Sequence, residues 1–244
     1  MKKDLREKDD AVSPVIALML ILAILATCMA VYTTTYVPGL KQQDEITHTG
    51  EVKLAFMRFA SDIDNVIAQG KPAVYTEVLE LGGGDVPLSP TKSSGTIEIN
   101  TSKIGTYTIG GETKDLNGIA VTYTPSFTAW EKQGYVYQNG VVWITKEEKV
   151  TPAELKLYTI QNGTDRQNKT LQKWYPASAD TVIIPQFTVD ENKTEITGTS
   201  TAKLRLNATL DETETEGVTV TLTTDGTPKA YSKIRFLNIE VSIE

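Results

Sequence analysis

The hydrophobic pattern divides the chain into three regimes. From Ala11 to Val31 the residues are apolar or small and carry no charge, and the next charge after Asp10 is Lys41. That run matches the roughly 20 apolar residues that take a helix across a bilayer. Tyr32 and Tyr36 follow it, where interfacial aromatics belong. Ser13 is placed to cap a helix, and Pro14 to occupy its first position, where a missing N–H costs nothing. The pattern predicts a charged leader over 1–11 and a hydrophobic, transmembrane α-helix over 12–37.

The second regime, 38–71, is a linker and an amphipathic helix. Three successive threonines weaken a helix, and Pro38-Gly39 should kink or interrupt it. Beyond them Val52, Phe56, Phe59, Ile63 and Val66 recur at spacings of four and three. This is one apolar face of a second helix, from about Asp44 to Ala68, stopped by Gly70 and Pro72. His48 falls among threonines and is expected to be a solvated surface residue.

The third regime, 72–244, reads as β. Short alternating runs such as "AVYTEVLEL", "GTIEINTS", "GTYTIGG" and "GIAVTYTP" are separated by turn residues. The clearest element is "GYVYQNGVVWIT", two strands joined by Asn139-Gly140, the preferred pair for a tight type I′ turn. Further strands are expected at "TVIIPQFTV", "TEITGT", "AKLRLNATL", "GVTVTLTT" and "KIRFLNIEVSIE". Helical patterning is confined to a weak turn near "TPAELKLY". Tyr135, Tyr137 and Trp143 form either a core face or a binding patch. The fold class expected is a hydrophobic α-helix and an amphipathic helix followed by an all-β, sandwich-like head.

Charge and composition narrow the function. The 244 residues carry a net charge of −7. In the leader Lys2, Lys3, Arg6 and Lys8 balance Asp4, Glu7, Asp9 and Asp10, so the acidic excess lies beyond the apolar run. No basic face is available for nucleic acid. Cys28 is the only cysteine, which excludes a disulfide within the chain, and His48 is the only histidine, which excludes a multi-histidine metal site. No nucleophile motif accompanies it, although a carboxylate-only glycosidase stays open. Gly82-Gly83-Gly84 lacks the continuation of a phosphate loop and is read as a turn. The acidic runs "LDETETEG" and "VDENKTE" lack the spacing that aims oxygens at one calcium ion. No catalytic residue, cofactor or metal ligand is assigned. Five of the nine asparagines, Asn100, Asn162, Asn168, Asn192 and Asn207, stand in N-x-[ST] sequons, all beyond the apolar run, and are read as glycan acceptors on loops.

The stretch "DDAVSPVIALMLILAI" resembles the N-terminus of archaeal type IV pilins and pilin-like proteins, which carry class III signal peptides. Asp9 and Asp10 match the charged positions before the cut, Ala11 the small residue, and Val12, Ser13, Pro14, Val15 and Ile16 the start of the mature assembly helix. The resemblance implies a prepilin peptidase that cuts between Ala11 and Val12, and other pilin-like subunits as partners in a surface filament. Two positions depart from the pattern. Ala17 stands where the family often has Gly, and Ile16 where bacterial pilins carry a Glu used in assembly. The segments "LGGGDVPLSPTKSSGTIEI" and "YVYQNGVVWI" are similar to a group of archaeal surface proteins with this N-terminus, which implies the same architecture and brings no catalytic residues. The expected protein is a non-enzymatic pilin-like subunit with one helix in the cell membrane and its head outside. The head is longer than a minimal pilin needs, which favours a minor or specialised subunit. An uncleaved, membrane-anchored binding or envelope protein is the alternative. A secretory signal ending at Ala30 and a lipoprotein site at Cys28 are further fates of the same helix.

Overall fold

The structure is a computed structural model, and it describes residues 7–83, 86, 87, 89, 91–153, 163–176, 181–224 and 226–244. The first element is α1 (Glu7–Val31), followed by a single π-helical turn (Tyr32–Tyr36) and then α2 (Val37–Gln69). The helix is thus not interrupted at Pro38 and Gly39; the irregularity expected there takes the form of the π turn just ahead of them. The Val37 N–H reaches back to the Tyr32 carbonyl, five residues away, so the ladder is already re-registered when the proline arrives. The threonines support the widened turn rather than opening it. Thr33 Oγ1 donates to the Met29 and Ala30 carbonyls at 2.9 and 3.2 Å, and Thr34 Oγ1 to the Ala30 carbonyl at 2.7 Å. At the other end α1 includes Pro14 and extends back to Glu7, so Ser13 is not its cap in the uncleaved chain.

α2 stops where the sequence says it should. Gly70 adopts the left-handed conformation (φ 58°, ψ 37°), and its N–H bonds the Val66 carbonyl at 2.9 Å. The head then consists of β1 (Ala73–Glu80), β2 (Ser94–Ile109), β3 (Glu112–Ser126), β4 (Gln133–Gln138), β5 (Val141–Lys146), β6 (Lys149–Pro152), α3 (Gly163–Trp174), β7 (Thr181–Val189), β8 (Glu195–Gly198), β9 (Thr201–Leu210), β10 (Thr215–Leu222) and β11 (Pro228–Ile243).

Two long hairpins organise it. The first pairs β2 with β3 across Gly110-Gly111, both at positive φ. The runs "GTIEINTS" and "GTYTIGG" are therefore one strand, carrying a bulge between Lys103 and Gly105. The second hairpin lays β9 and β10 end to end against β11, with Leu210 opposite Leu237 and Thr215 opposite Ile234. The hairpins join where β10 pairs with β2 over Thr219–Leu222. Elsewhere they part into two leaves, one extended by β1 and β7, the other by β4, β5, β6 and β8. All pairings are antiparallel except β7 with β11. β7 lies against β2 and β3 of the other leaf, which gives the head its sandwich character.

The stripe on α2 packs on β1 of one leaf and on β4 and β5 of the other. Val52, Phe56, Phe59, Ile63 and Val66 are all buried. Phe59 meets Tyr137 edge-on with ring centroids 5.2 Å apart, and Phe56 meets Tyr135 at 6.0 Å. Tyr135 and Tyr137 therefore belong to the core. Trp143 sits opposite Val136 in the hairpin register, on the other face and half-buried. The intervening Asn139 and Gly140 both have positive φ (46° and 85°), as the type I′ turn requires. α3 has no counterpart in the sequence reading, because its apolar side is reduced to Leu171, Trp174 and the following Tyr175. Trp174 Nε1 donates to Asp64 Oδ1 at 3.1 Å, which ties α3 to α2. Of the expected turn near "TPAELKLY", Thr151 and Pro152 belong to β6 and Ala153 follows it, and 154–158 lie outside the described residues.

Phe59 is fully buried and packs edge-on against the Tyr137 ring. Phe59→Ala is expected to destabilise the protein by about 3–5 kcal/mol, read as a lowered midpoint at unchanged slope in urea unfolding of the detergent-solubilised chain.

Candidate functional site

The apolar half of the helix is uncovered. Pro14–Gln69 forms one helical unit of 56 residues, long and apolar enough at its N-terminal end to cross a membrane. Val15, Leu18, Met19, Leu22, Ile24 and Leu25 each keep more than half of their surface exposed. At 1.5 Å per residue the stretch from Pro14 to Tyr36 is about 35 Å long, against a hydrocarbon core of about 30 Å. The Tyr32 and Tyr36 rings, 5.7 Å apart, mark its outer limit. Burial begins immediately after, at Val37.

Between this span and the apolar stripe lies a polar joint. Lys41, Glu45, His48 and Thr49 are all buried. They continue the spacing of the stripe, since Val37, Lys41, Glu45, His48 and Val52 follow one another at intervals of four, four, three and four. Thr49 Oγ1 donates back to the Glu45 carbonyl at 2.8 Å, and the other three find their partners in the head. Glu45 Oε1 accepts a hydrogen bond from the Ser93 hydroxyl and one from the Thr128 N–H at 3.0 Å, while Oε2 accepts the Ala129 N–H at 2.9 Å. Lys41 Nζ donates to the Thr91 and Thr128 hydroxyls, both at 2.7 Å. Thr128 Oγ1 in turn lies 3.4 Å from Glu45 Oε1, so it links the two charges. Burial pushes the Glu45 carboxyl up, but the bonds from Ser93 and from the 128–130 backbone outweigh it and leave its pKa lowered.

His48 closes the joint. Its Nε2 lies 3.0 Å from the Tyr123 hydroxyl, and that hydroxyl donates to the Leu81 carbonyl at 3.0 Å. The tyrosine proton is thereby committed, so Nε2 carries a proton and donates, and Nδ1 holds a lone pair. His48 is only 4% exposed. The expectation of a solvated histidine is overturned, because position 48 lies on the buried stripe and the strand end at Leu81 folds over it. Burial lowers its pKa, against the opposing charges of Glu51, Glu80, Asp44 and Glu45.

The sequence-derived sites are not gathered into one place. Ala11, Val12, Ser13, Pro14, Val15 and Ile16 all lie within α1. Among the described sequons only Asn192 is in a turn, where its N–H and side-chain amide both donate to Asp190 Oδ1. Asn100 is exposed on β2, Asn168 is half-buried in α3, and Asn207 is half-buried in β9 between β1 and β11. Asn162 lies outside the described residues. The loop placement expected of these asparagines therefore holds for one of the four described. Gly82 runs close past Ser93 and Gly83 past His48, and Gly84 lies outside the described residues. What sequence reasoning missed is the joint itself and the approach of Glu51 and Glu80 to His48. The continued three-and-four spacing up to Val37, and the His-x-x-Glu step on one helical face, carried that information.

These features define a class: a chain with one candidate membrane-spanning helix, continuous with the helix that holds a β-sandwich head. Comparison with protein-family profiles, with curated proteins and with solved structures finds no match.

His48 and Glu45 have folded-state pKa values below their ordinary ones of 6.5 and 4.5. A lowered folded pKa means that the unfolded chain binds the proton first, so stability is gained above the ordinary pKa and lost on acidification. The groups facing His48 are Asp44, Glu45 and Glu51 on α2, Glu80 on β1 and Tyr123 on β3. The thermal midpoint is expected to fall between pH 7.5 and 5.5 and to fall again below pH 4.5. His48→Gln should flatten the first step only; an unchanged first step in that variant would show that another group titrates.

Proposed function

We propose that this chain is a type IV pilin-like surface protein, cut by a prepilin peptidase and assembled through its N-terminal helix into, or onto, a cell-surface filament. One observation carries the reading: a single unbroken helix is apolar and uncovered in its first half and embedded in a β head by its second. A helix built in this way serves two environments in turn. In the bilayer its apolar face is solvated by lipid. Once extracted, it must bury the same surface against equivalent helices, and at about 25 cal/mol per Å² that surface is worth tens of kcal/mol gross. The absence of charge from Ala11 to Leu40 suits both environments, since one buried unpaired charge would cost several kcal/mol.

The leader supports the reading from the other side. Asp9-Asp10-Ala11 supplies a charged pair and a small residue immediately ahead of the helix. Its work is assembly rather than catalysis, with the head presented outside the cell and the sequons, Asn100 and Asn192 foremost, as glycan acceptors. An uncleaved anchor would use the same helix but would need neither the cut site nor Ser13-Pro14.

Mass spectrometry of the mature N-terminus from native membranes and from sheared surface filaments tests this directly. A start at Val12 in both fractions is expected. A start at Met1, with the protein confined to membranes, would establish the anchored alternative, and a start near Val31 would mean that the helix is discarded.

A further inference from the structure

Beside the polar joint, a cleft of about 300 Å³ opens between α2 and the end of β1, lined by His48, Glu51, Leu54, Arg58, Val78 and Glu80 among others. A ring nitrogen of His48 and one carboxylate oxygen each from Glu51 and Glu80 all lie within 4.8 Å of one another. His48 and Glu51 are one helical turn apart on α2, and Glu80 is the last residue of β1. We propose that these three side chains form a binding site for a divalent metal ion of the zinc class, which clamps the helix to the first strand of the head.

The histidine supplies the argument that the carboxylates alone could not. Its Nε2–H is spent on Tyr123, so the lone pair is on Nδ1, and Nδ1 is buried without a hydrogen-bond partner among the described residues. A buried acceptor left unpaired costs roughly 1–3 kcal/mol, and a cation removes that cost. A metal-bound imidazole characteristically passes its other N–H to a fixed acceptor, which sets the tautomer and orients the ring. Here Tyr123 is that acceptor, and the Leu81 carbonyl anchors it in turn. Burial already favours the neutral imidazole, the form a metal requires. Gly83 runs over the ring, and a Cβ there would come within 2.9 Å of the His48 Cβ, so the backbone closes one side of the site.

Two carboxylates this close repel each other unless a cation lies between them. Bonds of about 2.0–2.2 Å to nitrogen and oxygen require ligand atoms nearer than 4.8 Å, and the exposed Glu51 and Glu80 side chains are free to rotate inward by that amount. One imidazole with two carboxylates suits zinc and its first-row neighbours. Calcium would call for six to eight oxygens, and magnesium for near-ideal octahedral oxygen geometry. The remaining coordination faces the cleft, where water completes it. This inference does not depend on filament assembly, since a head on any membrane anchor would keep the same site.

The test uses the untagged full-length protein in detergent, stripped with a chelator and titrated with Zn2+ by calorimetry and by thermal unfolding. Binding at one ion per chain and a rise of several degrees in Tm are expected. Glu80→Gln and Glu51→Gln, both at exposed positions, should keep the metal-free Tm within a degree or two while weakening binding at least tenfold. Asp211→Asn, in a distant acidic turn, should bind like the parent. Co2+ should give visible absorption bands that Glu80→Gln loses. No binding to the folded parent, or undiminished binding by both glutamine variants, would overturn the proposal.

Discussion

One helix changes its surroundings between Tyr36 and Val37, from an uncovered span apolar enough to cross a membrane to a face buried in the head. From Val15 to Val31 the large apolar side chains are exposed; from Val37 the buried face is continuous to Val66. The rest of the structure follows from holding these halves in register. A break in the backbone at this boundary would leave carbonyls and N–H groups unpaired at the edge of the apolar zone, where there is little water to receive them. The chain avoids that with a π turn, whose Thr33 and Thr34 hydroxyls also bond the Met29 and Ala30 carbonyls. The residues that look most disruptive in the sequence are those that keep the helix whole.

The polar joint does for orientation what the π turn does for continuity. An apolar stripe alone could slide by a turn against a curved sheet at modest cost. A buried carboxylate that accepts the Thr128 and Ala129 backbone N–H groups and the Ser93 hydroxyl cannot, because each lost bond leaves a charged acceptor unsatisfied. Lys41 sits one turn above on the same face and reaches the same threonine, so the cation and anion fix the 91–93 and 128–130 segments together. Such a joint adds little net stability over an apolar one of the same shape, but it specifies a single angle between helix and head.

The parts of the fold legible in the sequence were those set by local chemistry. Five apolar residues at helical spacing found the docking face, Gly70 found its end, and Asn139-Gly140 found the tightest hairpin. The parts that stayed hidden depend on partners far along the chain. His48 among threonines reads as surface until Tyr123 and Leu81, remote in sequence, close over it. α3 holds too few apolar residues to show a period, and is held by Asp64 and by the underside of the sheet through Tyr175. The joining of two runs into one β2, and the end-to-end placing of β9 and β10 along β11, follow from long-range pairing that short-range alternation does not encode. Lys41 and Glu45 were missed for a simpler reason: charged residues were not expected on a buried stripe, although their spacing placed them there.

The central claim is that span and head share one rigid helix across Pro38. Cys28, the only cysteine, is exposed on the apolar half, and Asn65 is exposed on the docked half. A spin label at Cys28 paired with one at Asn65→Cys, in detergent micelles, measures the distance between the halves. An unbroken helix separates these positions by about 55 Å. A single narrow distribution near that value is expected, whereas a broad distribution or one centred well below it would mean that the helix hinges at Pro38-Gly39 and would contradict the account.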